Sequence, residues 1–282
     1  MSTSATAERL RQMSWRHVGS RVATYLVLAL ITMVMLYPFY YMSFNGFRSL
    51  DQYYAGHGFS LTSWRNLFKT LPVARQLLNS TIITLSAIAL ILVASTTAGY
   101  AFAVLRYRFS RLVFLVVIAA MMVPIQSIIA PEFVNLANIG FINHRYGAIL
   151  VYAALGAPFA TFLMTVYFRR IPEDVIEAAL IDGVGYGGVF LKIMLPLALP
   201  AMFAIAVLQF IQVWDDLLVG LLFLQSPDVR PITVGLATIP SQHLLDVPQL
   251  MAGSVISALP AIVVYLIFQR SLISGLTMGI SK

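Results

Sequence analysis

Residues 77–105 read LLNSTIITLSAIALILVASTTAGYAFAVL, and this run contains no charged side chain. A helix that crosses the hydrocarbon core of a bilayer, about 30 Å thick, needs about 20 mostly apolar residues at about 1.5 Å each. The run exceeds that length, and it is too long and too uniformly apolar for a strand of a membrane barrel. It therefore predicts a transmembrane helix, which satisfies its own backbone hydrogen bonds in lipid.

Five further stretches have the same character, which places six transmembrane helices along the chain. Hydrophobic residues make up 60% of the 282 residues and charged residues only 10%, whereas soluble domains carry about 25% charged residues. We therefore predict an all-α, polytopic membrane protein. The six spans are Val22–Met42, Leu77–Leu105, Leu112–Ala130, Tyr146–Phe168, Leu197–Leu224 and Leu250–Phe268.

The positions of the basic residues predict the orientation of these helices. With the N-terminus inside the cell, 12 of the 18 lysines and arginines fall in inner segments, and the pair Arg169 and Arg170 lies directly against a helix end. An inner excess of this kind marks the cytoplasmic side. We expect a cytoplasmic N-terminal segment (1–21), a transmembrane domain (22–270) and a cytoplasmic C-terminal tail (271–282).

The loops and the helix interiors carry further local signals. Ser43–Arg75 is polar and aromatic and predicts an ordered, partly helical outer cap, while Ser226–Gln249 is proline-rich and predicts a structured outer loop. Pro124 predicts a kink in the third span. Small residues let a helix approach its neighbour closely, and in the second span they are Ser95, Thr96, Thr97 and Gly99.

The cytoplasmic segment 169–196 reads RRIPEDVIEAALIDGVGYGGVFLKIMLP. Pro172 suits the first turn of a helix, the acids Glu173 and Asp174 oppose the helix dipole, and Gly183 can adopt the left-handed conformation that ends a helix. A second short element follows, in which Tyr186, Phe190 and Ile193 share one face. Two short helices joined by a glycine-rich turn would form a compact cytoplasmic knob.

The residues of this knob leave two interpretations open. Ala178 and Ala179 could keep one side slim enough to enter a groove on a partner protein. The same pattern is also typical of an amphipathic loop that lies on the membrane surface without a partner.

A resemblance favours the first interpretation. The segment resembles the EAA motif of type I ABC-importer permeases, E-A-A-x-x-D-G-x-x-x-x-x-x-F-x-x-I-x-L-P-x-x-x-P, and fills all its fixed positions. The resemblance implies that the knob is a coupling helix that docks into a cleft of an ATP-hydrolysing subunit. The matching residues are Glu177, Ala178, Ala179, Asp182, Gly183, Phe190, Ile193, Leu195, Pro196 and Pro200.

Most of the chain is similar to the carbohydrate-uptake branch of that family, typified by the maltose permease. Trp214–Asp216 matches the W-N-[DE] of its fifth span, except that Asp215 replaces asparagine, and the tail Gly275–Gly279 resembles tails that reach the ATPase dimer. The resemblance implies a sugar-import permease of the inner membrane, not an enzyme. Its partners would be a second permease, a homodimeric ATP-binding subunit that holds ATP and Mg, and an extracytoplasmic solute-binding protein.

The fifth span carries the candidate substrate path. Gln209, Gln212 and Asp216 follow at i, i+3 and i+7 and form a polar stripe, with Trp214 and Asp215 nearby. Acids within a membrane helix face a bundle interior or an aqueous path, so the stripe could bind sugar hydroxyls, pack against the second permease or lie near the outer interface. An alternative is a secondary transporter that couples an ion gradient through Asp215 and Asp216.

Other kinds of site find no support in the sequence. Gly183–Gly188 fits the dinucleotide pattern G-x-G-x-x-G but lacks the preceding strand, and there is no G-x-x-x-x-G-K-[ST] loop to bind nucleotide phosphates. The chain has no cysteine, and its four histidines are scattered without ligand spacing. We therefore expect no metal, cofactor or catalytic residue on this chain. Its net charge of +7 reflects membrane topology rather than nucleic-acid binding.

Overall fold

A computed structural model describes residues 3–105, 107–239 and 246–277, and these residues form helices and connecting loops without a strand. The helices are α1 (Thr3–Gly46), α2 (Leu50–Ala55), α3 (Thr62–Thr70), α4 (Val73–Val104), α5 (Ser110–Ala120), α6 (Ile125–Asn138), α7 (Arg145–Phe168), α8 (Glu173–Ile181), α9 (Tyr186–Val189), a π-helical turn (Phe190–Met194), α10 (Leu195–Leu197), α11 (Leu199–Asp215), α12 (Leu218–Phe223), α13 (Ile232–Ala237) and α14 (Val247–Thr277).

Four of these helices are individually long and apolar enough to cross a membrane, and two bent pairs raise the count to six if each is one span. The four are α4, α7 and the apolar parts of α1 and α14, Ser20–Gly46 and Val247–Gln269. The predicted second and fourth spans agree with α4 and α7 to within a few residues, because both are uninterrupted apolar runs. The predicted all-α membrane architecture is confirmed.

The predicted third span is two helices rather than one. The axes of α5 and α6 meet at 96°, and Pro124 immediately precedes α6 with an extended backbone. Proline has no N–H to continue a helix and disfavours helical geometry in the residue before it. The predicted kink is therefore present, but the predicted continuous helix Leu112–Ala130 is wrong.

The predicted fifth span is also interrupted. Helix α11 ends at Asp215, Asp216 is extended (φ −66°, ψ 132°), and the chain resumes as α12. At the N-terminal end of α11, the segment Tyr186–Leu197 meets that helix at 69°. The predicted continuous helix Leu197–Leu224 is therefore wrong, because the helical backbone is interrupted at Asp216.

One compact unit comprises residues 1–66 and 246–255. It contains the outer cap, where Ser49 and Gln52 form a reciprocal capping box at the start of α2. The Ser63 hydroxyl donates to the Arg48 carbonyl at 2.6 Å, and the Phe47 ring stacks on Phe59 at 5.5 Å. The prediction of an ordered, partly helical cap is confirmed.

The second unit comprises residues 67–245 and 256–282, and its core lies where α4, α7 and α11 meet. Ile91, Met164 and Ile205 are all buried there. A Cβ atom on Gly99 would lie 2.7 Å from Met164 Cβ, so only glycine permits this approach of α4 to α7. Ser95 and Thr96 are buried beside it as predicted, whereas Thr97 is exposed.

The outer loop after α12 is fixed to this core by polar side chains. The buried Asn79 amide donates to the carbonyls of Asp228 (3.0 Å) and Arg230 (2.9 Å), and its oxygen accepts from Arg145 Nε at 3.0 Å. Ser80 Oγ accepts from the backbone N–H of Ile232 at 3.0 Å. The loop is thus structured as predicted as far as residue 239, while residues 240–245 lie outside the described residues.

Two predicted segment boundaries fall inside helices. The N-terminal boundary at residue 21 lies within α1, and the C-terminal boundary at residue 270 lies within α14. Of the predicted ATPase-directed tail Gly275–Gly279, residues 275–277 end α14, and Met278 and Gly279 lie outside the described residues.

Candidate functional site

The knob predicted for residues 169–196 is formed by α8, α9 and the turn between them. Helix α8 begins directly after Pro172, with Glu173 and Asp174 in its first turn. It ends in a Schellman motif, in which the N–H of Gly183 donates to Leu180 O (3.1 Å) and that of Val184 to Ala179 O (2.9 Å). Gly183 has φ +82°, so the predicted left-handed helix end is confirmed.

The inner face of the knob packs on the ends of the membrane helices. Ile176, Ala179 and Val189 are buried in one cluster with Phe168 of α7. The hydroxyl of Tyr100, on α4, donates to the backbone carbonyl of Tyr186 at 2.9 Å. The knob is therefore held to both α4 and α7.

The outer face of the knob carries the other part of the motif. Glu177, Ala178, Asp182 and Gly183 are exposed, and Ile181 beside them is 86% exposed. The expectation that Ala178 and Ala179 share the slim side is wrong, because Ala179 is 7% exposed and packs inward. Only Ala178 is available to a groove on another protein.

The second element of the knob differs from the predicted regular helix. After the single turn of α9 the backbone widens into the π-helical turn, and the N–H of Leu195 donates to Phe190 O, five residues back. Pro196 follows directly and cannot donate a backbone bond to the preceding turn. Phe190 and Ile193 pack into the core cluster and Leu195 is half-buried, while Tyr186 and Pro196 are exposed.

A cavity of about 710 Å³ lies beside the contact of the knob with the membrane helices, lined by α8 and by the adjoining ends of α4 and α7. Arg169 stands at its edge, with its guanidinium 5.2 Å from the centre of the Phe114 ring and donating to Phe102 O at 3.4 Å. This contact links the end of α7 to α5 as well as to α4.

A second cavity, of about 290 Å³, lies between α7 and α11. Its walls include Gln209, Gln212 and Asp216, so the predicted polar stripe does face a common space. Gln209 is only 2% exposed, and its amide nitrogen has no hydrogen-bond partner among the described residues. An unpaired buried amide nitrogen is costly to stability.

Asp216 organises the outer end of this cavity. Its Oδ1 accepts from the Tyr152 hydroxyl and from the backbone N–H of Val219, both at 2.9 Å. Its backbone carbonyl accepts from Thr233 Oγ1, in α13, at 3.2 Å. Tyr152 was not predicted as a site residue, because one tyrosine in an apolar span does not reveal which helix its hydroxyl faces.

Two residues of the predicted substrate path lie elsewhere. Trp214 is 3% exposed, stacks on Phe210 at 5.3 Å and donates its indole N–H to Ser257 O at 2.9 Å. Asp215 is exposed and does not line the cavity. Consecutive positions of a helix point about 100° apart, which separates both side chains from the stripe.

Residues 91–274 match the family described as binding-protein-dependent transport system inner membrane component. The chain belongs to this family. Family membership confirms the predicted assignment to ABC-importer permeases and makes the chain a translocation subunit rather than an enzyme.

Two curated relatives show how far the similarity to this permease extends. The diacetylchitobiose uptake system permease protein NgcG of Streptomyces coelicolor is 31% identical over 261 residues, covering 90% of this chain and 86% of its own. The sulfoquinovosyl glycerol transport system permease protein SmoH of Agrobacterium fabrum is 30% identical over 223 residues, covering 79% of this chain and 78% of its own.

A solved structure shares the fold of this permease. A chain of a bacterial ABC transporter that imports the acidic polysaccharide alginate superimposes with a TM-score of 0.77. The match covers 91% of this chain and 97% of that one at 22% identity. The permease therefore has the fold of an ABC-importer membrane subunit.

Proposed function

We propose that this permease is a translocation subunit of an ATP-driven, binding-protein-dependent sugar importer in the inner membrane, with both termini in the cytoplasm. One observation carries the proposal: the knob presents an exposed motif on one side and is bonded to α4 and α7 on the other. The carbohydrate cargoes named for its relatives support a sugar as cargo.

The knob transmits the movement of the ATPase to the membrane helices. Glu177, Ala178, Ile181 and Asp182 contact the ATPase, while Ala179, Phe190 and Ile193 hold the knob to the permease core. When ATP closes the ATPase dimer, the knob moves, and the Tyr100 bond and the Phe168 contact carry this movement into α4 and α7. Such coupling requires contacts that differ between the two states of the complex.

The partners follow from the parts that this chain lacks. Its sequence contains no P-loop, so a homodimeric ATP-binding subunit holds ATP and Mg and hydrolyses the nucleotide. A second, related permease completes the path, membrane lipid surrounds both, and an extracytoplasmic solute-binding protein delivers the cargo. The family description names dependence on such a protein, and the outer loop fixed by Asn79 faces the side from which it would dock.

The cavity between α7 and α11 is the contact of this subunit with its cargo. Gln209, Gln212, Asp216 and Tyr152 offer amide, carboxylate and hydroxyl groups to sugar hydroxyls. Coupling to an ion gradient is not favoured, because Asp215 and Asp216 face different surroundings and Asp216 is engaged as a helix cap.

The test measures substrate-stimulated ATP hydrolysis and ATP-driven uptake by the reconstituted complex with wild type and a Gly183→Asp variant. The matched control is Gly185→Asp: both glycines are exposed, a Cβ on either would meet no atom within 4 Å, and only Gly183 has a positive φ. We expect Gly183→Asp to abolish substrate-stimulated ATP hydrolysis while the subunits still copurify, and Gly185→Asp to retain it. Uptake driven by an ion gradient without the ATPase would disprove the proposal.

A further inference from the structure

The lining of the cavity between α7 and α11 contains a negatively charged side chain and no positively charged one among the described residues. Among the described residues that line it, Asp216 is the one carboxylate, and Lys, Arg and His are absent. The sequence has none of these three residues over 146–168 or over 199–225 either. The basic residue at the outer end of α7, Arg145, is engaged with Asn79.

The hydrogen-bonding groups of the cavity match hydroxyls better than anions. The exposed Gln212 amide in the cavity wall can donate as well as accept, and the Asp216 carboxylate can only accept. A sugar hydroxyl both donates and accepts, so it can satisfy both groups. A cargo carboxylate or sulfonate would instead bring a second negative charge next to Asp216, in surroundings that screen charge far less than water does.

We infer that this permease carries a neutral sugar and that Asp216 excludes sugars bearing a carboxylate or a sulfonate. The inference rests on the proposed function, because it assigns the cargo class of the same cavity. Similarity to the relatives does not supply the answer: alginate is an acidic polysaccharide and sulfoquinovosyl glycerol is a sulfonate, whereas diacetylchitobiose is neutral.

The experiment measures sugar binding to the complex of both permeases and the ATPase in nanodiscs, without the solute-binding protein. The probes are diacetylchitobiose and maltotriose, each paired with an analogue in which one C6 carbon is oxidised to a carboxylate. Equilibrium dialysis gives the dissociation constants. For wild type we expect the neutral member of a pair to bind at least about tenfold more tightly, which corresponds to about 1.4 kcal/mol.

Two variants assign this preference to one carboxylate. Asp216→Asn keeps an acceptor oxygen for Tyr152 and Val219 but removes the charge, so the ratio should fall to about threefold or less. Asp215→Asn removes the same charge one residue away, outside the cavity, and should leave the ratio unchanged.

The outcomes separate this inference from the proposed function. Equal or tighter binding of the acidic analogues, or a ratio that Asp216→Asn does not change, overturns the inference. Failure of both members of each pair to bind, alongside ATP-driven uptake by the full complex, overturns it as well. ATP-driven uptake confined to acidic sugars contradicts the inference and leaves the proposed function standing, whereas no ATP-driven uptake of any sugar refutes the proposed function itself.

Discussion

The Tyr100 hydroxyl lies 2.9 Å from the carbonyl oxygen of Tyr186, so a membrane helix is hydrogen-bonded directly to the cytoplasmic knob. The ring of Tyr100 is 6% exposed and packs against Phe190 at 5.0 Å and Phe168 at 6.2 Å. One side chain therefore contacts the knob and the end of α7 together.

Replacing Tyr100 by phenylalanine should loosen this connection and preserve the packing. The ring contacts remain, while the loss of one hydrogen bond costs about 1 kcal/mol of stability. We expect fewer sugar molecules transported per ATP hydrolysed, measured in proteoliposomes. Tyr186→Phe is the control, because the bond uses the backbone carbonyl of Tyr186. An unchanged transport ratio in Tyr100→Phe would show that this bond plays no part in coupling.

Ile181 and Ile176 should respond in opposite ways to substitution by serine. Ile181 is 86% exposed and Ile176 8% exposed. Ile181→Ser should leave the unfolding temperature of the permease unchanged and reduce copurification of the ATPase. Ile176→Ser removes a buried side chain from the core and should destabilise the permease by about 2–5 kcal/mol. If Ile181→Ser leaves the ATPase fully bound, this part of the knob does not form the interface.

The attachment of the outer loop depends on Asn79 more than on the neighbouring ion pair. Asn79→Ala removes three hydrogen bonds at a fully buried site, and each group left unsatisfied costs about 1–3 kcal/mol. Arg75 pairs with Asp228 at 2.6 Å, but both side chains are more than half exposed, so Arg75→Ala should cost less than about 1 kcal/mol. Thermal unfolding in detergent compares the two variants, and equal losses would contradict this ranking.

Trp214 should matter for stability and not for cargo binding. Trp214→Phe removes the bond from the indole N–H to the Ser257 carbonyl, and the loss of one hydrogen bond costs about 1 kcal/mol. The sugar dissociation constant should stay within about twofold of wild type, since the indole does not line the cavity. Weaker sugar binding without a loss of stability would contradict this prediction and show that Trp214 belongs to the substrate path.

The membrane helices were predictable where hydropathy alone determines their position and length. Helices α4 and α7 are long apolar runs, and burial in lipid imposes their length. The break at Asp216 left no such signal, because averaging over a span hides a local change of backbone conformation. Pro124 did signal a bend, but its size of 96° depends on how α5 and α6 pack against their neighbours.

The sequence allowed us to predict which residues form the site, but not which side of its helix each residue occupies. The motif identified the knob, and Gly183 ended α8 as expected because its left-handed backbone suits glycine. The sequence could not show that Ala179 turns inward while Ala178 faces out, since that depends on which side of α8 meets the core. The register between α7 and α11, which brings Tyr152 to Asp216, is likewise set by tertiary packing.

The several bonds made at Asp216 restrict how this importer could acquire new cargoes. The residue lines the cavity and caps α12 by accepting from the backbone N–H of Val219. Its backbone carbonyl also accepts a hydrogen bond from the Thr233 hydroxyl in the outer loop. Among common side chains, only asparagine matches its length and its acceptor oxygen. An evolving lineage could therefore change the charge at this position in one step, whereas a longer side chain would have to re-form the bond to Val219 that caps α12. Adaptation to larger sugars has more room at Gln212 and Leu155, whose side chains are exposed in the same wall.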